Sequence, residues 1–234
     1  MAKIAIVYYS GTGNTYHMAR AVEEGAKSAG AEVRFRKAAE LASDAAIDSN
    51  PAWRANTEAT RHVEVATPDD LEWAEGFIFG TPTRFGLPSA QLKQFIDTCG
   101  PKWNAGKLQD KVAGVFGGSI TPHGGQEATM LALQNVFYHW GTLIVPVGYT
   151  DPSLFAAGGN PYGVTMTDPR GAGAPEEILV ACRFQGLRIA RYAELVARNL
   201  HMLAASASGA KPHSASIEAR AKTKSAPKTR RKGR

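Results

Sequence analysis

The order of apolar and polar residues divides this chain into short buried runs and longer segments of helical period. Lys3-Ile4-Ala5-Ile6-Val7-Tyr8-Tyr9 is nearly continuous in apolar residues, the pattern of a strand covered on both faces of a parallel sheet. Met18, Ala19, Val22 and Ala26 then recur at helical spacing to about Ser28, and Gly30 follows as a stop. Residues 31–37, Ala-Glu-Val-Arg-Phe-Arg-Lys, alternate apolar with charged and predict an edge-like strand with one buried face. Residues 38–67 hold no sustained period and contain Pro51, so they read as an irregular or partly helical insertion, mobile or at a subunit contact.

Thr67-Pro68-Asp69-Asp70 signals the start of a short helix to about Ala74, with Thr67 as cap and proline at the first position. Gly76-Phe77-Ile78-Phe79-Gly80 predicts a buried third strand, and Leu92, Phe95, Ile96 and Cys99 the apolar face of a helix stopped by Gly100-Pro101. A fourth strand is expected at 111–116, a helix from about Gln126 to His139, and a fifth strand at 143–147. Residues 148–175 are rich in glycine and proline and read as one long loop. A last helix begins near Pro175-Glu176-Glu177, its acidic first turn matching the dipole, and runs to about Leu200. Five strands alternating with helices predict an α/β fold, a doubly wound parallel sheet in the flavodoxin-like order 2-1-3-4-5.

Chemistry concentrates first in the turn after the opening strand, Ser10-Gly11-Thr12-Gly13-Asn14-Thr15. The two glycines permit positive φ and close backbone approach, and the helix start presents N–H groups that favour an anion. Ser10, Thr12, Asn14 and Thr15 add neutral donors, which suits a phosphate. The pattern is not Gly-x-x-x-x-Gly-Lys-Ser/Thr, which disfavours a magnesium nucleoside triphosphate, and it lacks the three-glycine dinucleotide fingerprint. It resembles the flavodoxin loop that holds the FMN phosphate without a basic residue; an ordinary polar strand-to-helix turn is the alternative. In a doubly wound sheet the loops after strands one, three and four meet at the switch point. Thr81–Gly86 and Gly117–Gly125, both rich in Gly, Pro and Thr, would flank a flat ring there.

Composition changes this picture only at the carboxyl end. From Lys211 onward stand nine of the 27 Lys and Arg residues against one of the 21 acidic ones, so the formal charge of +6 belongs to the tail and the remaining chain is slightly negative. Residues 1–203 are therefore read as one domain. Residues 204–234 are read as a basic extension, either solvated and disordered or a tether to nucleic acid or another anionic surface. No run reaches the roughly 18 to 20 apolar residues of a membrane span. The chain opens directly in a strand, without a signal peptide, and its two cysteines, Cys99 and Cys182, fit reduced core residues of a cytoplasmic protein.

Longer motifs sharpen the reading. Tyr-Tyr-Ser at 8–10, Phe-Gly-Thr-Pro-Thr-Arg-Phe-Gly at 79–86, the loop of Trp103, Gly-Gly-Gln-Glu at 124–127 and Val-Pro-Val-Gly-Tyr at 145–149 follow in order over about residues 1–200. In these the chain resembles the WrbA-type NAD(P)H:quinone oxidoreductases of the flavodoxin superfamily. That resemblance implies FMN as cofactor, NADH or NADPH as electron donor, a quinone as acceptor and a homotetramer in which each pocket is closed by other subunits. It implies phosphate contacts from Ser10, Gly11, Thr12, Gly13, Asn14 and Thr15, and ring contacts from Pro82, Thr83, Arg84, Phe85 and Gly86. Further cofactor contacts are implied for Gly118, Ser119, Ile120, Thr121, Pro122, His123 and Gly124. His139 matches a family histidine at the pocket of a neighbouring subunit, and Trp103 a tryptophan that walls the substrate side.

Two departures are visible. Thr12 replaces a tyrosine that contacts the nicotinamide nucleotide in better-known members, and Ile120-Thr121-Pro122-His123 replaces a glycine-rich stretch with one residue more. His123 and His139 by themselves also read as a surface and a helix-end residue, and Arg84 as half of an ion pair. With chemistry on FMN, no side-chain nucleophile or metal is required, and sharing of one face by both substrates implies ping-pong turnover. Rival readings on the same fold are a flavodoxin-like electron carrier and a flavin or azo reductase. An interaction protein without FMN, its tail on nucleic acid, is the third.

Overall fold

The computed structural model describes residues 1–168 and 173–206, with side chains through residue 200. Strand β1 (Lys3–Tyr8) leads into helix α1 (Asn14–Ser28) and edge strand β2 (Glu32–Lys37). The insertion forms α2 (Asp44–Asp48) and α3 (Pro51–Ala59), followed by α4 (Pro68–Trp73), β3 (Gly76–Pro82), α5 (Ala90–Thr98), α6 (Gly100–Asn104), β4 (Val112–Ser119) and α7 (Gln126–Trp140). Then come β5 (Leu143–Ile144), α8 (Pro152–Ala156), β6 (Thr165–Thr167) and α9 (Glu176–Ser206). All pairings are parallel, in the order β2-β1-β3-β4-β5, with β6 also on β4.

Side chains alternate across β1 as strand geometry requires, so Ile4, Ile6 and Tyr8 enter one core layer and Ala5, Val7 and Tyr9 the other. The first layer contains Met18 and Val22 of α1 and Cys182, Ile189 and Ala193 of α9. The second holds Phe77 and Phe79 of β3 with Leu92, Phe95, Leu133, Phe137 and Trp140 of α5 and α7. Cys99 and Cys182 are buried free thiols in these layers, and burial pushes the Cys99 thiol up to about 12. At neutral pH that thiol stays protonated and unreactive.

Helix α5 ends at Thr98, just before Gly100-Pro101 as expected, and proline takes an early position of a further short helix, α6, which carries Trp103. Two expectations change. The strand expected at 143–147 pairs only through Leu143 and Ile144; Val145 N makes its last backbone bond, to Ala113 O at 2.9 Å, and the next acceptor along β4, Val115 O, is taken by a side chain instead. The stretch read as a loop from 148 contains α8 and β6, and β6 takes over the edge of β4 at Gly117–Ser119. Between the two short strands, the buried Gln185 of α9 serves the exposed ladder. Its Nε2 donates to Val115 O at 2.7 Å, and its Oε1 accepts from Val164 N at 3.3 Å. A single side-chain amide so stands in for the missing middle of a strand.

The chain divides into a compact unit, Met1–Asn199, and a second unit, Leu200–Arg234, of which residues 200–206 are helical. The helix runs past its expected end near Leu200. The basic stretch from Lys211, on which the tail reading rests, lies outside the described residues. Among the described residues no helix is long and apolar enough to cross a membrane.

Helices α1 and α9 touch backbone to backbone. A Cβ at Gly25 would lie 1.8 Å from Arg183 O, and one at Gly186 2.0 Å from Val22 O. Overpacking of this kind costs about 1–3 kcal/mol per site. Gly25→Ala and Gly186→Ala are each expected to lower the urea unfolding midpoint accordingly, and the double variant to fall short of the sum because both act at one contact. Midpoints equal to the parent's would contradict the close approach.

Candidate cofactor site

The carboxyl ends of β1, β3 and β4 open onto a cavity of about 530 Å³, within the usual range for small-molecule sites. Its floor is the turn after β1. Tyr9 N donates to Gly80 O at 2.9 Å, which fixes the start of the turn to β3. Ser10 Oγ accepts from Gly13 N at 3.1 Å, closing the turn on itself. Gly13, at φ 104°, then redirects the chain into α1. No side chain caps this helix and no acidic residue stands in its first turn, so its N–H groups and dipole remain directed at the cavity. Asn14 Nδ2 donates to Asp168 Oδ2 at 2.8 Å, and Gly173 N donates to the same oxygen at 3.1 Å, joining the helix start to the chain beyond β6.

One wall is built by the end of β3. Thr83 N donates to Gly118 O at 2.7 Å, tying this wall to the next. Arg84 and Leu87 exchange backbone hydrogen bonds at 2.8 and 3.0 Å around a two-residue turn. Phe85 and Gly86, at φ 52° and 80°, form its tip. A left-handed conformation at an aromatic residue stores roughly 1–3 kcal/mol, and here it presents the Phe85 ring fully to solvent at the cavity rim. Arg84 brings positive charge to this wall, its Nη1 donating to Thr83 O at 3.3 Å.

The facing wall is β4 and the loop after it. Ser119 Oγ donates to Thr121 O at 2.5 Å, which shapes that loop. Gln126 Nε2, at the start of α7, donates to Ser119 Oγ, Met166 O and Thr167 Oγ1 at 2.8–2.9 Å, binding α7, β4 and β6 together.

Of the residues expected at the site, Ser10, Gly11, Thr12, Asn14, Thr15, Pro82, Thr83, Arg84, Phe85, Gly118, Ser119, Ile120, Thr121 and Gly124 line this one cavity. Gly13 and Gly86 shape its turns without lining it, and His123 is exposed outside it. Pro122 lines a neighbouring cleft with Gln126 and Tyr149. Trp103 and His139 lie together elsewhere on the chain, Trp103 Nε1 donating to His139 O at 2.8 Å beside a shallow pocket with Lys93 and Val136.

The structure adds Met18, Asn50, Met166 and Asp168 to the lining. Asn50 had a local signal as the cap before Pro51. Asp168 and Met166 had only the general signal of a long glycine- and proline-rich loop, of a kind that is often functional.

The donor set matches a phosphorylated flat ring. A neutral turn at an uncapped helix start takes the anion, and two walls edged with backbone polar groups flank the space above it. Thr83 Oγ1 is buried and, among the described residues, has no hydrogen-bond partner, an unmet polar atom in the wall of the cavity. Among the described residues no cluster of His, Cys, Asp and Glu could hold a metal ion, and the ionisable residues of the lining are Arg84 and Asp168.

A sequence profile of the family described as NADPH-dependent FMN reductase matches residues 2–151. A protein of Deinococcus radiodurans named NAD(P)H dehydrogenase (quinone) is 47% identical over 165 residues, 70% of this chain and 82% of its own. A protein of the same name from Sinorhizobium fredii is 40% identical over 203 residues, 84% of this chain and 100% of its own. Among solved structures, a flavodoxin described as WrbA-like from Agrobacterium tumefaciens superposes with a TM-score of 0.58 at 28% identity, over 83% of this chain and 99% of its own. An archaeal flavodoxin at 19% identity and TM-score 0.54, covering 82% of this chain and 99% of its own, shares the fold. The chain thus belongs to the NADPH-dependent FMN reductase family, in its flavodoxin-like, WrbA-type quinone dehydrogenase group.

Proposed function

We propose that the protein is an FMN-dependent NAD(P)H:quinone oxidoreductase. The observation that carries this reading is the single cavity in which an uncapped, neutral helix start faces two backbone-edged walls and an unpartnered buried threonine hydroxyl. When bound, FMN supplies hydride acceptance from the nicotinamide and two-electron delivery to the quinone.

The residues do the positioning. The N–H groups at the start of α1 and the hydroxyls of Ser10, Thr12 and Thr15 hold the phosphate without a full positive charge. Thr83 offers its free hydroxyl to a polar edge of the ring. Arg84 sets a positive charge at the ring end, where it opposes the negative charge that two-electron reduction adds. The walls exclude water from one side, so nucleotide and quinone take the remaining side in turn, which gives ping-pong kinetics.

Trp103 and His139 belong to this reading through a homotetramer in which they close the pocket of a neighbouring subunit; their separation from the cavity of their own chain supports that arrangement. The two buried free cysteines favour a cytoplasmic setting. The residues from Lys211 onward act as a solvated extension or an anion tether.

Purified protein mixed with FMN is expected to acquire a flavin absorption band that bleaches with NADH or NADPH and returns when a quinone is added. A band that neither nucleotide bleaches would leave an electron carrier instead.

Two variants separate the ends of the site. Thr15→Asp sets a carboxylate against the phosphate and is expected to weaken FMN at least tenfold, about 1.4 kcal/mol. Thr83→Val removes a hydroxyl that nothing among the described residues satisfies, so the FMN-free protein should unfold at the same or a higher denaturant concentration. Its FMN affinity should nevertheless fall by roughly three- to tenfold, the share of one hydrogen bond. Equal affinity in both variants and parent would remove FMN from this cavity.

Trp103→Ala is expected to keep FMN affinity within about threefold and to lose most quinone turnover, as for a residue on the substrate side. Steady-state kinetics matching the parent for both substrates would make Trp103 a packing residue only.

A further inference from the structure

The insertion between β2 and α4 presses on the back of the phosphate-binding turn, and it does so with polar contacts rather than packing. Helix α3 has no buried residue. Where the insertion meets the turn there is a small cavity of about 50 Å³ lined by Tyr9, Ser10, Lys37, Glu40, Asn56 and Thr60. The insertion touches the turn directly through Asn56, whose Nδ2 donates to Ser10 O at 2.8 Å. Beside it the indole of Trp53 lies over Gly11, its Nε1 3.8 Å from where a Cβ there would stand.

Trp53, on the same helix as Asn56, is tied to one carboxylate. Glu40 Oε2 accepts from Tyr9 OH at 2.9 Å and from Trp53 Nε1 at 3.1 Å. Its Oε1 accepts from Gln91 Nε2 at 2.8 Å and from the backbone N–H groups of Leu41 and Ala42 at 2.8 and 3.0 Å. Five donors from the end of β1, from α3, from α5 and from the chain after Glu40 itself converge on this one side chain. None of the five can turn acceptor without rearrangement except the tyrosine hydroxyl. Only a group that accepts at both oxygens satisfies them all, which an amide cannot do.

We propose that Glu40 is a positioning residue for the cofactor phosphate: it clamps α3 onto the turn so that Asn56 holds the Ser10 carbonyl outward and the N–H groups of the turn face the cavity. This rests on the FMN reading of the cavity. The physical reason is the orientation of one peptide group. With its carbonyl tied away from the cavity by Asn56, Ser10 presents no oxygen to the phosphate, and the following N–H groups keep their direction. Few buried apolar contacts hold α3 in place, so loss of the polar hub releases it at little further cost.

The clamp acts on the phosphate end alone, and this separates it from a general effect on folding. FMN and riboflavin share the ring and differ in the phosphate. Titration of the full-length protein with each flavin, followed by fluorescence quenching, therefore reads the clamp as a ratio of affinities. Glu40→Gln and Asn56→Ala are each expected to weaken FMN by roughly tenfold, the effect of misplacing one charge-assisted contact. Riboflavin affinity should stay within about twofold of the parent value. Asp44→Asn, on the same insertion and paired with Arg54 rather than with the turn, should leave both affinities unchanged.

Asn56→Ala leaves the Glu40 hub whole, so it reports on the turn even where Glu40→Gln disturbs folding. An unchanged preference for FMN over riboflavin in Asn56→Ala overturns the clamp while the FMN site stands. A parent protein that binds neither flavin overturns the FMN reading itself, and the clamp with it.

Discussion

The structure depends on how the chain leaves its first strand. β1 is buried on both faces, so the residues after it must turn within a few positions and still leave backbone donors available to a ligand. Tyr9 is tied to β3 and Ser10 closes on Gly13. Gly13 in turn takes a conformation that a side chain would resist. The result is a helix whose start is unsatisfied within the protein. Such a helix end leaves its N–H groups to whatever enters the cavity, and it favours an anion there. The two facing walls and the insertion are arranged around this end.

The charge in the site is sparse. The lining of the cavity contains no lysine, and Arg84 is its one basic residue among those described. A site of this kind distinguishes its ligand by direction of hydrogen bonds more than by net attraction, so small displacements of the turn matter. The basic residues that dominate the overall charge stand in sequence beyond Lys211 and say nothing about this selectivity.

The sheet shows a similar reliance on single side chains. With β5 cut short, the edge of β4 is shared by two short strands, and Gln185 fills the interval. This lets the chain between β5 and β6 leave the sheet and return at the level of the cavity. Met166 and Asp168 reach the cofactor site by that detour. A continuous fifth strand would have held the edge of the sheet with its own backbone and left those residues elsewhere.

The sequence by itself determined the fold class, the order of the five main strands and the glycine-bearing turn after β1. These are local: a doubly buried strand, a helical period and the torsional freedom of Gly13 are written in neighbouring residues. The two wall segments could be found as well, because glycine, proline and threonine cluster at the ends of strands that must be loops. What only the tertiary structure decided lies in contacts far apart in the chain. Nothing near Gln185 announces that it replaces part of a strand, and nothing near Glu40 announces that Tyr9, Trp53 and Gln91 converge on it. The same holds for Asp168, which meets Asn14 across 154 positions, and for Trp103, whose hydrogen bond to His139 joins two residues away from the cavity of their own chain. A polar side chain advertises only its capacity to bond; which partner it meets is fixed when the sheet and helices bring distant backbone into reach.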